Sequence, residues 1–158
     1  MEINGLIIDP TSKGPIIVLR DSAGARLLPI WIGVFEANAI ALCIEQIETP
    51  RPMTHDLLRQ TIEHLGAVVT KIVISDLQDG TFFARIHVAR NGAGESSIDA
   101  RPSDAIALAL RVEAPIYVAQ TVLEKAKVDA QTDEMTDDER IRKVLEELNP
   151  EDMGKYTM

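Results

Sequence analysis

Three short stretches place acids, bases and a histidine where helices are expected to begin. Arg51-Pro52-Met53-Thr54-His55-Asp56 precedes one apolar run, and Asp99-Ala100-Arg101-Pro102-Ser103-Asp104 precedes another. Glu36 and Asn38 open a third. Helix N-termini carry unpaired N–H groups and partial positive charge, which suits an anion such as phosphate. Phosphodiester chemistry would use carboxylates (Asp104, Asp56, Glu36) to hold Mg²⁺ or Mn²⁺. It would also use an imidazole (His55) as base or proton donor, and Arg51, Arg101, Thr54 and Ser103 on the phosphate. A plainer reading stands beside this one. Thr54 and Ser103 sit where helix caps sit, and Asp56 and Asp104 oppose the macrodipole without catalysing anything. No phosphate-binding glycine loop, GxSxG, HExxH or CxxC occurs, and nothing calls for an organic cofactor.

The elements that must position these residues follow from periodicity. Strands are predicted at 3–9, 15–20 and 26–32, then a helix from Glu36 to Ile47 with Ala37, Ile40, Ala41, Ile44 and Ile47 on one stripe. After Pro50 and Pro52, Thr54 is expected to cap a second helix whose buried face is Leu57, Leu58, Ile62 and Leu65, stopped by Gly66. Strands at 67–75, 81–89 and 95–100 lead to a helix over 103–111, a strand at 115–118 and a short helix near 121–127. The capping box Thr136-Asp137-Asp138-Glu139 starts an amphipathic helix over 137–148, with Ile141, Val144, Leu145 and Leu148 as its stripe.

One offset repeats. Ala39-Ile40-Ala41-Leu42 recurs 66 residues later as Ala105-Ile106-Ala107-Leu108, and the same offset sets Gly14 on Gly80 and Asn38 on Asp104. The expected architecture is therefore α+β: a duplicated β-β-β-α unit (3–48 and 69–114), with mixed or antiparallel sheets packed on two buried helices, plus the C-terminal amphipathic helix. Both repeat helices are apolar on nearly every face, so they are expected to pack near a pseudo-twofold axis or against a partner subunit, a dimer being favoured, or equally each to lie on its own sheet.

With 158 residues the chain fits one domain, read as 1–128, followed by an acidic linker, helix and tail over 129–158. That tail holds 10 of the 25 acids and 4 of the 16 bases, giving −6 of the net −9. No Lys/Arg run marks a non-specific nucleic-acid patch. The single Cys43 excludes an internal disulfide, and no apolar run is long enough for a membrane helix, so a cytoplasmic location is expected.

LPIWIG-x-x-EA, RPMTHDLL, DLQDGTFFARI and DARPSDAIALAL, in that order, resemble the bifunctional nuclease domain family over residues 1–128. The resemblance implies an α+β domain that degrades DNA or RNA. Its polar signature falls on Glu36, Arg51, Thr54, His55, Asp56, Asp76, Asp79, Arg101, Ser103 and Asp104. Two functions remain open at this point. One is a metal-assisted nuclease acting on DNA or RNA. The other is a non-enzymatic oligomer that binds a small anion or a partner protein in a regulatory role.

Overall fold

The computed structural model describes residues 1–9, 12–23, 26–90 and 92–126; the helix expected over 137–148 lies outside the described residues. Its first sheet is an antiparallel meander of β1 (Glu2–Ile8), β2 (Pro15–Arg20) and β3 (Leu27–Trp31). Helices α1 (Val34–Ile44) and α2 (Thr54–His64) follow. The second sheet has the order β6-β5-β4-β7, built from β4 (Ala67–Gln78), β5 (Thr81–Arg90), β6 (Gly94–Ala100) and β7 (Ile116–Val118). Its β4–β7 pair is parallel and the others antiparallel. Between β6 and β7 runs α3 (Pro102–Val112), and α4 (Gln120–Lys125) follows β7. The α+β class, with mixed and antiparallel sheets, is as the periodicity predicts.

Local chemistry explains the connections. Pro29 has no N–H to give, and it sits on β3, an edge strand whose one partner is β2. The two-residue loop Asp79-Gly80 joins β4 to β5 with φ of 48° and 75°, the left-handed pair that a tight hairpin demands. On β5, Ala84 and Ile86 are buried while Arg85 is exposed, as alternation requires.

The core is organised around α3, whose residues 105–109 are at most 1% exposed. It packs on α1, α2, β4 and β5. Alanines at 105, 107 and 109 permit that close approach from several sides. This helix is buried all round, as its composition predicts. Its counterpart α1 is not. Ala37, Ala39 and Ile40 face the core and α3, but Ile44 and Ile47 are 46% and 51% exposed, and Ile47 lies beyond the helix end.

The order strand-strand-strand-helix occurs twice, yet the 66-residue offset does not carry into the pairing. Leu6 pairs with Ile17 in the first meander; the offset would pair Ile72 with Phe83 in the second. Instead Ile72 pairs with Ile86, and Phe83 with Asp76. The hairpins differ physically: residues 9–14 separate β1 from β2, whereas two residues separate β4 from β5.

A larger correction concerns α2. Leu57, Leu58 and Leu65, expected inside, are 59%, 38% and 62% exposed. His55 is buried, and Asp56, Arg59 and Ile62 are partly covered. The helix turns its polar side inward because that side meets charged partners on α3.

Candidate active site at the helix N-termini

The loop after β3 delivers Glu36 to the first turn of α1. Gly33 makes this possible: a Cβ there would stand 2.1 Å from the Glu36 carboxylate, which folds back over it. The spacing Gly-x-x-Glu in LPIWIG-x-x-EA is thus a steric requirement. Glu36 Oε1 accepts from Arg101 Nη2 at 2.7 Å, and Arg101 Nε donates to Asp104 Oδ2 at 2.8 Å. Asp104 Oδ1 lies 3.0 Å from Nε2 of His55, which reaches it from α2. Three helices therefore contribute to one chain of contacts, Glu36–Arg101–Asp104–His55.

The electrostatics fix the proton positions. Its hydrogen bond with His55, together with Arg101, holds the Asp104 carboxyl below its ordinary value despite partial burial. Asp104 is therefore ionised at neutral pH and can only accept, so His55 Nε2 carries the hydrogen. In the neutral imidazole, Nδ1 is then the nitrogen free to take a proton. Arg101 is held further above its usual value by Asp104 and then by Glu36, yet its side chain stays 57% exposed. Two of its N–H groups serve these acids, and the other donors are available to an anion.

A second tier lies beside the first. Arg111, only 5% exposed, donates Nε to Asp56 Oδ1 at 2.6 Å, Nη1 to the Ala107 carbonyl at 2.8 Å and Nη2 to the Ala39 carbonyl at 3.1 Å. Burial pushes the Asp56 carboxyl up; the Met53 amide and the Arg111 guanidinium outweigh it, and the net shift is downward. Asp56 also accepts the Met53 N–H at 2.9 Å, so it serves as the reciprocal half of a cap.

Several expected roles change. The N-caps are Met53 and Arg101, not Thr54 and Ser103, because the helices start one or two residues earlier relative to those hydroxyls. Ser103 is 2% exposed, and so does not present its hydroxyl to a phosphate in solution. Thr54 lies on the outer face of α2, and Arg51 is exposed and pairs with no acid among the described residues. Asp76 sits on β4 and binds Lys125 of α4 at 2.7 Å and the Leu77 amide at 2.8 Å, which holds its carboxyl at about 2. Asp79 makes the β4–β5 turn. Neither joins the cluster. Arg111, which sequence reasoning passed over, is the most enclosed cation of the group; its one sequence signal is an arginine closing the otherwise apolar run AIALAL.

The donor set does not fit a divalent ion as arranged. Among the described residues no group of three or more His, Cys, Asp or Glu side chains is placed to hold one. The reason is visible in the pairs: Glu36, Asp56 and Asp104 each already accept from a guanidinium.

Residues 17–131 match the bifunctional nuclease domain. The chain belongs to the bifunctional nuclease domain family. An uncharacterized protein of Mycobacterium tuberculosis is 40% identical over 161 aligned residues, covering 96% of both chains. Bifunctional nuclease 1 of Oryza sativa subsp. japonica is 27% identical over 116 residues, covering 72% of this chain and 35% of the rice protein. Bifunctional nuclease 2 of Arabidopsis thaliana is 24% identical over 127 residues, covering 74% and 38%. This chain thus spans little more than a third of the plant proteins. In this bifunctional nuclease domain, RPMTHDLL and DARPSDAIALAL meet through His55–Asp104 and Asp56–Arg111, and LPIWIG-x-x-EA joins them through Glu36. No helix among the described residues is long and apolar enough to cross a membrane.

Proposed function

We propose that this bifunctional nuclease domain hydrolyses phosphodiester bonds in DNA or RNA at the junction of α1, α2 and α3. The observation that carries the reading is the contact of His55 Nε2 with Asp104 Oδ1 at 3.0 Å, beside an exposed guanidinium. Asp104 orients the imidazole through that contact. His55 Nδ1 takes the proton from the attacking oxygen, a water or the 2′-hydroxyl of RNA. As that oxygen bonds to phosphorus, the bond to the leaving oxygen breaks, and the leaving oxygen receives a proton from the imidazolium or from solvent. Arg101 neutralises the phosphoryl oxygens, with the N–H groups of the α2 and α3 first turns adding partial positive charge. Glu36 holds Arg101 in place.

A second reading, a non-enzymatic module that binds an anion or partner protein, is favoured by one specific observation. Every acid in the cluster is already paired within the chain, so the contacts also suffice to lace three helices together. One experiment separates the two. The purified chain is incubated with single- and double-stranded DNA and with RNA, next to His55→Ala and Asp104→Asn. Hydrolysis reduced at least about 100-fold in both variants, the scale of a lost positioned acid or base, supports the nuclease. Wild-type inactivity, or activity that survives both substitutions, supports the module.

A further inference from the structure

We propose that the outer face of the first sheet is the docking surface for this chain's own C-terminal stretch, through Ile141, Val144, Leu145 and Leu148. The three strands are apolar on both sides. Ile17, Leu19, Leu28 and Ile30 point into the main core with residues of α1 and α3. The residues that alternate with them point the other way: Ile16 and Val18 on β2, Leu27 and Trp31 on β3, and Ile7 on β1. The pairs Ile7–Ile16 and Ile16–Trp31 set them side by side. This second face is enclosed, with Ile16 0% exposed, Val18 1% and Leu27 6%. Yet the apolar side chains packed there all come from β1, β2 and β3, and no helix among the described residues joins them. One sheet cannot shield its own surface from water, so a further layer lies on it.

Elimination and reach name that layer. Within the body, the residues outside the described ones are Pro10, Thr11, Gly24, Ala25 and Asn91, none of which carries a large apolar side chain. The stretch that remains is 127–158, where Ile141, Val144, Leu145 and Leu148 are spaced as one helical stripe. The α2 leucines would suit such a stripe too, but they are 38% to 62% exposed, whereas the sheet face is enclosed. The chain also ends in the right place. The Met1 amine donates to the Ile116 carbonyl at 2.6 Å, so β1 begins beside β7, which leads into α4. Fully extended, residues 127–140 span up to about 45 Å, which crosses a domain whose radius of gyration is about 14 Å. A tether this short holds the stripe at a roughly millimolar effective concentration, which favours its own sheet over that of a second copy. Charge agrees. Arg20 stands on the same face, paired with Leu27, and residues 129–158 hold 10 acids against 4 bases.

Trp31 is the chain's one tryptophan and packs on this face, so its fluorescence reports the cover. In the full-length protein, Leu145→Asp should shift Trp31 emission to the red and raise its acrylamide quenching constant, while thermal unfolding stays cooperative. Leu145→Ala adds no charge and should act in the same direction, by less; it decides the matter if the aspartate variant does not fold. Lys143→Gln makes the same change in net charge on the opposite side of the stripe, and should leave the emission unchanged. All of these readings should be independent of protein concentration, because the contact lies within one chain. Emission unaltered by the Leu145 substitutions overturns the proposal. So does wild-type emission that turns red on dilution, which would assign the cover to a second copy.

Discussion

Arg111 and Asp56 form an ion pair of unequal burial: the guanidinium is 5% exposed and the carboxylate 26%, with 2.6 Å between Nε and Oδ1. Removing the acid leaves a cation in the interior with one partner missing, and removing the cation also takes a second donor from the helical carbonyls of Ala39 and Ala107. Breaking a buried pair from one side costs about 3–5 kcal/mol, and partial exposure of Asp56 reduces that. Asp56→Ala is therefore expected to destabilise by about 2–3 kcal/mol and Arg111→Ala by more, read from urea denaturation midpoints at constant m-value.

Gly33→Ala separates stability from site geometry. Its φ of −72° and ψ of 157° suit any residue, so the backbone tolerates alanine. The new methyl occupies the space of the Glu36 carboxylate, a flexible side-chain end that moves at a cost below about 1 kcal/mol. The Glu36–Arg101 contact is lost in moving. Gly33→Ala should lower hydrolysis by the same factor as Glu36→Gln, with a thermal midpoint near that of the wild type. Full activity would show that Glu36 has no part in holding Arg101.

Acid should unfold the helix layer through Asp104 and Asp56. Both have folded-state values below those of the unfolded chain, so their contribution is complete above about pH 4 and disappears as pH falls through the folded values. Thermal midpoints measured between pH 7 and pH 3 should fall at the acid end, and the fall should be shallower in Asp104→Asn than in the wild type. An identical slope in that variant contradicts the pairing with His55 and Arg101.

Because guanidinium groups occupy the three carboxylates, hydrolysis is expected to persist in EDTA. Arg101→Lys should lose more than a change of cation suggests, since one ammonium cannot serve Glu36 and Asp104 in the planar fork that Arg101 uses. Assays of both proteins with and without Mg²⁺ check this, and complete inhibition by EDTA would show that an ion displaces Arg101.

The strands and helices were legible in the sequence to within a few residues because alternation, proline and glycine mark them directly. The α2 stripe was legible too, but its direction was not. Periodicity tells which residues share a face; it does not tell that His55 and Asp56 find partners at Asp104 and Arg111. His55, Arg101, Asp104 and Glu36 could be singled out because each lies at a helix start. Arg111 could not, since an arginine in a last turn has an ordinary explanation in the helix macrodipole.

The enclosure of α3 divides the molecule for anyone who would rewrite it. A methyl added at Ala105, Ala107 or Ala109 meets neighbours on whichever side it points, so a randomised library there returns mostly unfolded chains. Side chains on β6 are exposed from Gly94 to Asp99; Glu95 is tied to Thr70, Lys71 and His87 and Ser97 to Arg85, so the codons open to variation in that strand are those of Ser96 and Ile98. New binding loops or affinity handles therefore belong at the β5–β6 hairpin, where they leave the three-helix junction undisturbed.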